Sequence, residues 1–291
     1  MKSTYLTNML LLVVAVFLVW LMTESQVQKP NTYITDSITQ SQVSEIEIQR
    51  RQQQTVQLQL DKQWQLVQPV KARANQTRIK LLLSLLDQPV QSPIPVTDNT
   101  NLAEFGLEQP NLTLLFNQQA FVFGNTESLS GYRYILHHQQ IYLINDDISP
   151  LLGASASSFV DNRLLDPAST IQAIHLPELL DKNAQLQSAG LSVYQQNSSW
   201  HSKPANHEQD KLLSLLQNWQ QAYAMQVVII VDPDEMVTEN QPQVVMELSD
   251  NTQRNFVVTH NNDGLTLTDP EVQLQYQFPA AMISALFSIN D

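Results

Sequence analysis

Residues 82–86 read LLSLL, and residues 212–216 read LLSLL again. In both places the apolar residues recur at i, i+3, i+4 and i+7, which is the spacing of one buried face of an α-helix. The two faces consist of Ile79, Leu82, Leu83 and Leu86 and of Leu212, Leu215, Leu216 and Trp219. The sequence therefore predicts two amphipathic helices, near residues 76–87 and 207–223.

The segments before the two helices match in the order of their features. Residues 56–60 alternate apolar and polar side chains, as a half-buried strand does, and residues 191–193 begin the same pattern. A tryptophan then opens a strand, a proline ends it and an asparagine suited to cap the helix follows. These residues are Trp64, Pro69 and Asn75 in the first copy and Trp200, Pro204 and Asn206, with Gln209 completing a near capping box, in the second. Both tryptophans are predicted to be core anchors.

Short strands separated by polar turns are predicted after each helix. They cover residues 112–116, 120–123, 132–136 and 141–144 in the first half and 227–231, 244–248, 256–259, 265–268 and 272–278 in the second. Asp263 and Gly264 form a typical hairpin turn. The pattern predicts an α+β fold of two related units, each an antiparallel sheet with a packed helix. The first unit is expected over residues 43–165 and the second, degenerate unit over residues 166–291.

The segment at residues 5–22 carries no charge and is nearly all apolar. A helix needs about 17–25 such residues to span a bilayer, so the segment is predicted to be a transmembrane signal anchor. A cleavable signal peptide is the alternative, but the apolar run is not followed by an A-x-A-like pair. Lys2 predicts residues 1–4 in the cytoplasm and the C-terminal domain in the periplasm, with residues 23–42 as a stalk. The expected location is the bacterial inner membrane, as a single-pass protein.

Composition limits the classes of partner and of chemistry. The chain has 28 acidic and 15 basic residues and a net charge of −13, which disfavours nucleic acid and anionic lipid surfaces. It has no cysteine, which excludes disulfides, thiolate metal sites and cysteine nucleophiles. Its six glycines are too far apart for a Walker loop, a dinucleotide fingerprint or a nucleophile elbow.

Roughly residues 44–165 carry a further pattern of aromatic, glycine and proline residues. It consists of Trp64 with Pro69, Phe105-Gly106-Leu107 with Pro110, Gly124, Gly131-Tyr132-Arg133-Tyr134 and Ile141-Tyr142-Leu143. On these residues the first half resembles a bacterial family known as domain of unknown function 4340. The resemblance implies an N-terminal membrane anchor and a role beside ABC-type transport systems of the gliding-motility auxiliary kind. It implies no catalytic residue.

The candidate metal and catalytic residues lack the required spacing. His207-Glu208 begins like a zincin motif, but Lys211 stands where the second histidine is needed. His137 and His138 are adjacent, so they are predicted to lie in a solvated turn rather than to share an ion. Two acidic runs, Asp146-Asp147 and Asp232-x-Asp234-Glu235, lack the ligand count of a calcium loop and are predicted to be turns. No catalytic, cofactor-binding or metal-binding residue is therefore assigned.

Two classes of function remain after these exclusions. The first is a non-enzymatic, membrane-anchored extracytoplasmic interaction domain that is auxiliary to an ABC-type transport or envelope-assembly system. Its expected partner is an integral-membrane protein such as an ABC-type permease, and its contact with the membrane is through residues 5–22. The alternative is an extracytoplasmic enzyme or ligand binder that acts on envelope polysaccharide through a carboxylate pair such as Glu104 and Glu108.

Overall fold

The computed structural model describes residues 9, 12–17, 32–35, 37–90, 93–180, 186–204, 206–231, 241–261 and 264–289. Residues 12–17 are helical, but most of the predicted anchor and stalk lies outside the described residues. Within the described parts of the chain, no helix is both long enough and apolar enough to cross a membrane.

The first half of the chain forms an antiparallel sheet of nine strands. Its strands are β2 (Glu45–Arg50), β3 (Val56–Leu60), β4 (Trp64–Gln68), β5 (Ala72–Arg73), β7 (Ile94–Pro95), β8 (Leu112–Phe116), β9 (Gln119–Thr126), β10 (Arg133–His137) and β11 (Gln140–Ile144). Their order across the sheet is β5-β4-β3-β2-β8-β9-β10-β11-β7. Two short strands, β1 (Thr32–Tyr33) and β6 (Pro89–Val90), pair beside it.

The second half forms an antiparallel sheet of eight strands. Its strands are β12 (Ile171–Leu176), β15 (Leu191–Gln196), β16 (Ser199–Lys203), β17 (Gln226–Ile229), β18 (Gln243–Leu248), β19 (Gln253–His260), β20 (Gly264–Asp269) and β21 (Leu274–Pro279). Their order is β16-β15-β12-β18-β19-β20-β21-β17. A separate pair consists of β13 (Leu179–Leu180) and β14 (Leu186–Ser188).

The two sheets have the same connectivity. The eight strands from β4 to β7 across the first sheet follow one another along the chain in the same order as the eight strands from β16 to β17 across the second sheet. The first sheet has one additional strand, β5, at its edge. Corresponding tryptophan strands also end in the same way, because the peptide bonds before Pro69 and Pro204 are both cis. The shared order is the arrangement that the sequence repeat predicts. The unit boundaries at residues 43–165 and 166–291 stay a prediction.

In the part of the chain that the structure describes, four α-helices accompany the sheets: α1 (Gln76–Leu83), α2 (Ser149–Leu152), α3 (Gln209–Gln220) and α4 (Ala281–Phe287). The apolar faces predicted around the two LLSLL copies are buried in α1, in the 3₁₀ turn Ser84–Asp87 that follows it, and in α3. Asn75 caps α1 as predicted, accepting a hydrogen bond from the backbone N–H of Arg78 at 3.2 Å. Burying each leucine of such a face contributes about 1.5–3 kcal/mol.

The start of α3 differs from its prediction. Asn206 does not cap this helix; the N-cap position is Glu208, and its side chain makes no capping bond. The side chain of Gln209 instead pairs with strand β16, since its Oε1 accepts from the N–H of Trp200 at 3.1 Å and its Nε2 donates to the carbonyl of Trp200. The amide thus occupies the open edge of β16, where unpaired backbone groups promote strand association.

The tryptophans do not have equivalent surroundings. Trp64 is buried as predicted, whereas Trp200 is only partly buried and packs against the margin of the core. Trp219 is fully buried, and its indole N–H donates to the carbonyl of Leu286 at 2.6 Å. Its ring also meets Phe287 edge to face at 5.3 Å. Trp219 is therefore the aromatic residue that joins α3 to α4.

Candidate inter-sheet cleft

Residues 159–166, here called the connector, run between the two sheets and hydrogen-bond to both. On the first side, the carbonyl of Phe159 accepts from Asn75 at 2.7 Å, and the N–H of Asp161 donates to Arg73 in β5 at 2.8 Å. On the second side, Asn162 exchanges backbone and side-chain bonds with Ala224, both 2.9 Å. Buried residues of both sheets and of the connector belong to one continuous core.

A cleft of 730 Å³ opens where the first sheet, the connector and the second sheet meet. Residues 63–73 form one wall, and the connector forms its base. The opposite wall comes from the β18–β19 turn and the β20–β21 turn, with Tyr276 of β21. Clefts between packed units are common binding sites because they offer concave surface to a ligand.

Two cationic residues, Lys71 and Arg73, line the wall formed by the first sheet, and Arg73 faces the carboxylates of the connector. The Nε of Arg73 lies 3.7 Å from Oδ2 of Asp161, its Nη1 lies 3.9 Å from Oδ2 of Asp166, and its Nη2 donates to the carbonyl of Arg163. Burial by itself raises the pKa of Asp166, but hydrogen bonds from Ala168 and Gln63 and the nearby Arg73 lower that pKa overall. Asp166 therefore stays ionised and holds β5 to the connector.

Arg254 is the cationic group on the opposite wall. Its Nε donates to Oδ2 of Asp269 at 2.9 Å, and its Nη2 donates to the same oxygen. The other oxygen of Asp269 accepts from the backbone N–H groups of Glu271 at 3.1 Å and Val272 at 3.4 Å. Asp269 is 1% exposed, so its charge depends on these donors. The pair fixes the β20–β21 turn at the rim of the cleft.

Tyr276 lies between the two arginine-centred groups. Burial raises the pKa of its phenol, although the positive charges of Arg254 and Arg73 oppose this shift. The phenol is therefore neutral at physiological pH and unsuited to act as a base. The centre of the cleft is an arrangement of charges that neutralise one another.

A further carboxylate on the rim of the cleft, Asp250, is held in its ionised form by hydrogen bonds. Asp250 accepts two hydrogen bonds from Thr252, one from its hydroxyl and one from its backbone N–H. Both bonds lower the pKa of Asp250, the hydroxyl bond more than the backbone bond. Carboxylates with lowered pKa values are poor proton donors near neutral pH. Among the described residues, no group of three or more His, Asp or Glu side chains is placed to hold a metal ion.

Those chemical candidates that the structure describes lie outside the cleft. Asp146 pairs with Arg133 at 2.5 Å and also accepts from the N–H of Ser149 at 3.2 Å, so it joins β10 to the start of α2. Asp147 accepts from Asn145. Glu104 and Glu108 are exposed, and neither lines the cleft. His207 lies before α3, where its backbone N–H donates to Ser202, and residues 232–240 lie outside the described residues.

The adjacent histidines correct one prediction. His138 is exposed in the β10–β11 turn, as predicted, but His137 is only 3% exposed at the end of β10. Its Nδ1 lies 2.9 Å from the carbonyl of Ala120, and its ring stacks on Phe121 at 4.0 Å. Its Nε2 is buried without a hydrogen-bond partner. The strand ends at His137, whose ring lies on the core side, and the positive φ of His138, 46°, leaves its ring edge to face with that of His137 at 4.0 Å.

The residues of the family pattern explain one local structure. Gly106 ends the 3₁₀ turn Leu102–Phe105 with φ +69°, a conformation that favours glycine. A Cβ on Gly124 of β9 would lie 2.2 Å from the carbonyl oxygen of Phe105, so only glycine allows the turn to approach the strand. Phe105 meets Tyr134 edge to face at 5.0 Å, and Arg133 donates to the carbonyl of Gly124 at 2.7 Å.

The protein thus consists of two antiparallel sheets with the same strand connectivity, joined by a connector that hydrogen-bonds to both. A family model described as Domain of unknown function (DUF4340) matches residues 64–244, which is more than half of the chain. The chain belongs to this family. Comparisons with curated proteins and with solved structures gave no match.

Sequence reasoning did not find the charged residues of the cleft. Arg73, the connector residues Asp161 and Asp166, and the pair of Arg254 and Asp269 come from three distant parts of the chain, with no motif that joins them. The sequence offered one indirect signal, the scarcity of basic residues. The chain has only 15 of them, and basic residues are rarely buried.

Proposed function

We propose that this protein is a non-enzymatic, membrane-anchored extracytoplasmic interaction domain that is auxiliary to an ABC-type transport or envelope-assembly system. The observation that carries the proposal is the connector, which hydrogen-bonds to both halves and makes them one body. A rigid body presents its surface without a further ordering cost on binding, which favours a protein that recognises a partner. The paired charges of the cleft support this choice over catalysis.

The membrane part of the proposal comes from the sequence. Residues 5–22 are apolar and uncharged, and Lys2 precedes them. An anchored domain is confined to two dimensions, which raises its effective concentration toward other membrane proteins. The proposed partner is therefore an integral-membrane protein, with nucleotide hydrolysis left to another chain.

Crosslinking in intact cells tests the proposal. The full-length chain is expected to be captured with a multi-span membrane protein. Deletion of residues 5–22, with export preserved by a cleavable signal peptide, is expected to abolish this capture. If the anchorless domain instead turns over a sugar or peptide substrate with no partner present, the proposal is wrong and the enzymatic alternative is right.

The cleft favours a second candidate function, the binding of a small ligand. Its volume of 730 Å³ is in the range of ligand pockets. A screen of envelope oligosaccharides against the purified chain, with Arg254→Gln as the comparison, tests this candidate. Binding that is lost in the variant supports it, and binding that is absent or unchanged contradicts it.

A further inference from the structure

A second pocket, with a volume of 540 Å³, lies where β2 ends and β8 begins. Arg50 and Arg51 line it together with Thr55, Thr113 and Asn111, whose hydroxyl and amide groups can donate hydrogen bonds. None of the residues that line it, all of them in the described part of the chain, is acidic. Two positive charges are therefore concentrated at one place in a chain with a net charge of −13.

The guanidinium of Arg50 is oriented by neutral groups. Its Nη1 donates to the carbonyl of Ala154, and its Nη2 donates to the carbonyl of Gln54 at 3.2 Å. Its Nε is buried and has no hydrogen-bond partner among the described residues. Burial lowers the pKa of the guanidinium, but an arginine stays protonated in proteins. Arg50 therefore holds a positive charge in a fixed position, and part of its hydrogen-bonding capacity is unused.

Neither arginine of this pocket pairs with a carboxylate in the described part of the chain. Arg73, Arg133 and Arg254 are also part-buried, and each of them pairs with an aspartate. A part-buried charge costs free energy when no opposite charge accompanies it. The two unpaired charges therefore favour an anionic ligand.

The repeat shows that the fold does not require a cation at this place. In the first sheet, Ile48 of β2 pairs with the first residue of β3, and in the second sheet, Leu176 of β12 pairs with the first residue of β15. These strands occupy corresponding places in the two sheets. Arg50 and Glu178 each lie two residues further along the chain, so they are counterparts of opposite charge. The arginine is a property of the first sheet and not of the shared fold.

The charge and the size of the pocket fit a phosphomonoester. A phosphate ester carries a charge of about −1.5 to −2 at pH 7, which matches two guanidinium groups, whereas a carboxylate carries a single negative charge. Arginine also binds phosphate through two parallel hydrogen bonds. The volume of 540 Å³ exceeds that of a phosphate group, and the neutral hydroxyl and amide side chains suit the hydroxyl groups of an attached sugar or polyol.

The net charge of the chain does not oppose such a ligand at close range. The screening length is about 8 Å at physiological ionic strength, so distant carboxylates contribute little inside the pocket. An anionic bilayer, in contrast, faces many charges of the chain at once and is repelled by them. A soluble compound is therefore favoured over a lipid headgroup.

We propose that this pocket binds the phosphate group of a soluble phosphomonoester, such as a sugar or polyol phosphate, with Arg50 and Arg51 as its charged donors. The pocket shares no lining residue with the inter-sheet cleft. The proposal goes beyond the function proposed above and does not depend on it.

Isothermal titration calorimetry of the full-length chain in a neutral detergent, with glycerol 3-phosphate as the probe, tests the site. Arg51→Gln should bind about tenfold or more weakly, because a hydrogen bond between charged groups corresponds to such a change in affinity. Arg51 is exposed, so the variant should keep the circular dichroism of the original. Arg78→Gln is the matched control, since it removes an equal charge from α1, outside the pocket, and should bind like the original.

Two further measurements identify the group that is bound. Glycerate, which has a carboxylate in place of the phosphate ester, should bind about tenfold or more weakly than glycerol 3-phosphate, because it brings one charge less. Binding of glycerol 3-phosphate should also weaken below the second phosphate pKa of about 6, where the ester takes up a proton.

Several results would overturn the proposal. These are the absence of saturable binding up to about 10 mM, equal affinities of Arg51→Gln and the original, or equal affinities for glycerate and glycerol 3-phosphate. Binding that is lost in Arg254→Gln but kept in Arg51→Gln would place the anion in the inter-sheet cleft instead. Tighter binding of a short-chain phosphatidic acid in the same detergent would assign the phosphate to a lipid headgroup and refute the soluble ligand.

Discussion

At Gly124 the backbone of β9 passes so close to the turn carrying Phe105 that a methyl group has no room. Gly124→Ala is expected to reduce the free energy of unfolding by about 1–3 kcal/mol, because the strand or the turn must shift. Gly153→Ala is the matched control, since its nearest atom would lie at 3.5 Å. It should change the stability by less than about 1 kcal/mol. Urea unfolding of the three proteins measures the difference, and equal losses for both variants would contradict the close approach.

His137 should make stability depend on pH. Burial lowers the pKa of its imidazole, the bond to Ala120 opposes that shift, and nearby His138 adds to it. The unfolded chain therefore binds the proton more tightly than the folded chain does, so stability rises with pH through this range. The contribution is fully present above the unfolded pKa of about 6.5 and is lost as pH falls below it.

Unfolding of the protein and of His137→Gln between pH 5 and pH 8 measures this dependence. On acidification the free energy of unfolding of His137→Gln should fall less than that of the original protein, because glutamine cannot take up the proton. His175→Gln, which removes an exposed histidine, serves as the control. If His137→Gln and the original protein have parallel pH profiles, the buried ring does not titrate as described.

At the scale of elements, the two tryptophan strands occupy corresponding places in their sheets but do not contribute equally. Trp64→Ala should cost about 3–5 kcal/mol, as a large truncation in a packed core does. Trp200 is only partly buried at the margin of the core, so Trp200→Ala should cost less. Thermal and urea unfolding of both variants provide the comparison. Equal costs would mean that the environments of β4 and β16 are alike after all.

At the scale of the whole molecule, the shared core and the connector predict one cooperative unfolding transition. Tryptophan fluorescence and far-ultraviolet circular dichroism of the full-length, detergent-solubilised chain should give the same midpoint. Asn162→Ala removes the side-chain bond to Ala224 and should lower that midpoint by the equivalent of about 1 kcal/mol without splitting the transition. Two separate transitions in the original protein would show that the halves fold independently.

The sequence alone determined both main helices, most of the strands and the repeat that relates them, but it did not predict β2, β7 or β12. Helical and strand periodicities are local, so the buried faces around both LLSLL copies and the strands at residues 112–116 and 244–248 could be predicted from neighbouring residues. The tertiary structure decided which distant residues meet. The cleft depends on the path of the connector, which places Arg73 and Arg254 in one cleft. The burial of His137 and the partial burial of Trp200 depend on which neighbour covers each strand. Such contacts come from packing between remote segments, and local periodicity carries no information about them.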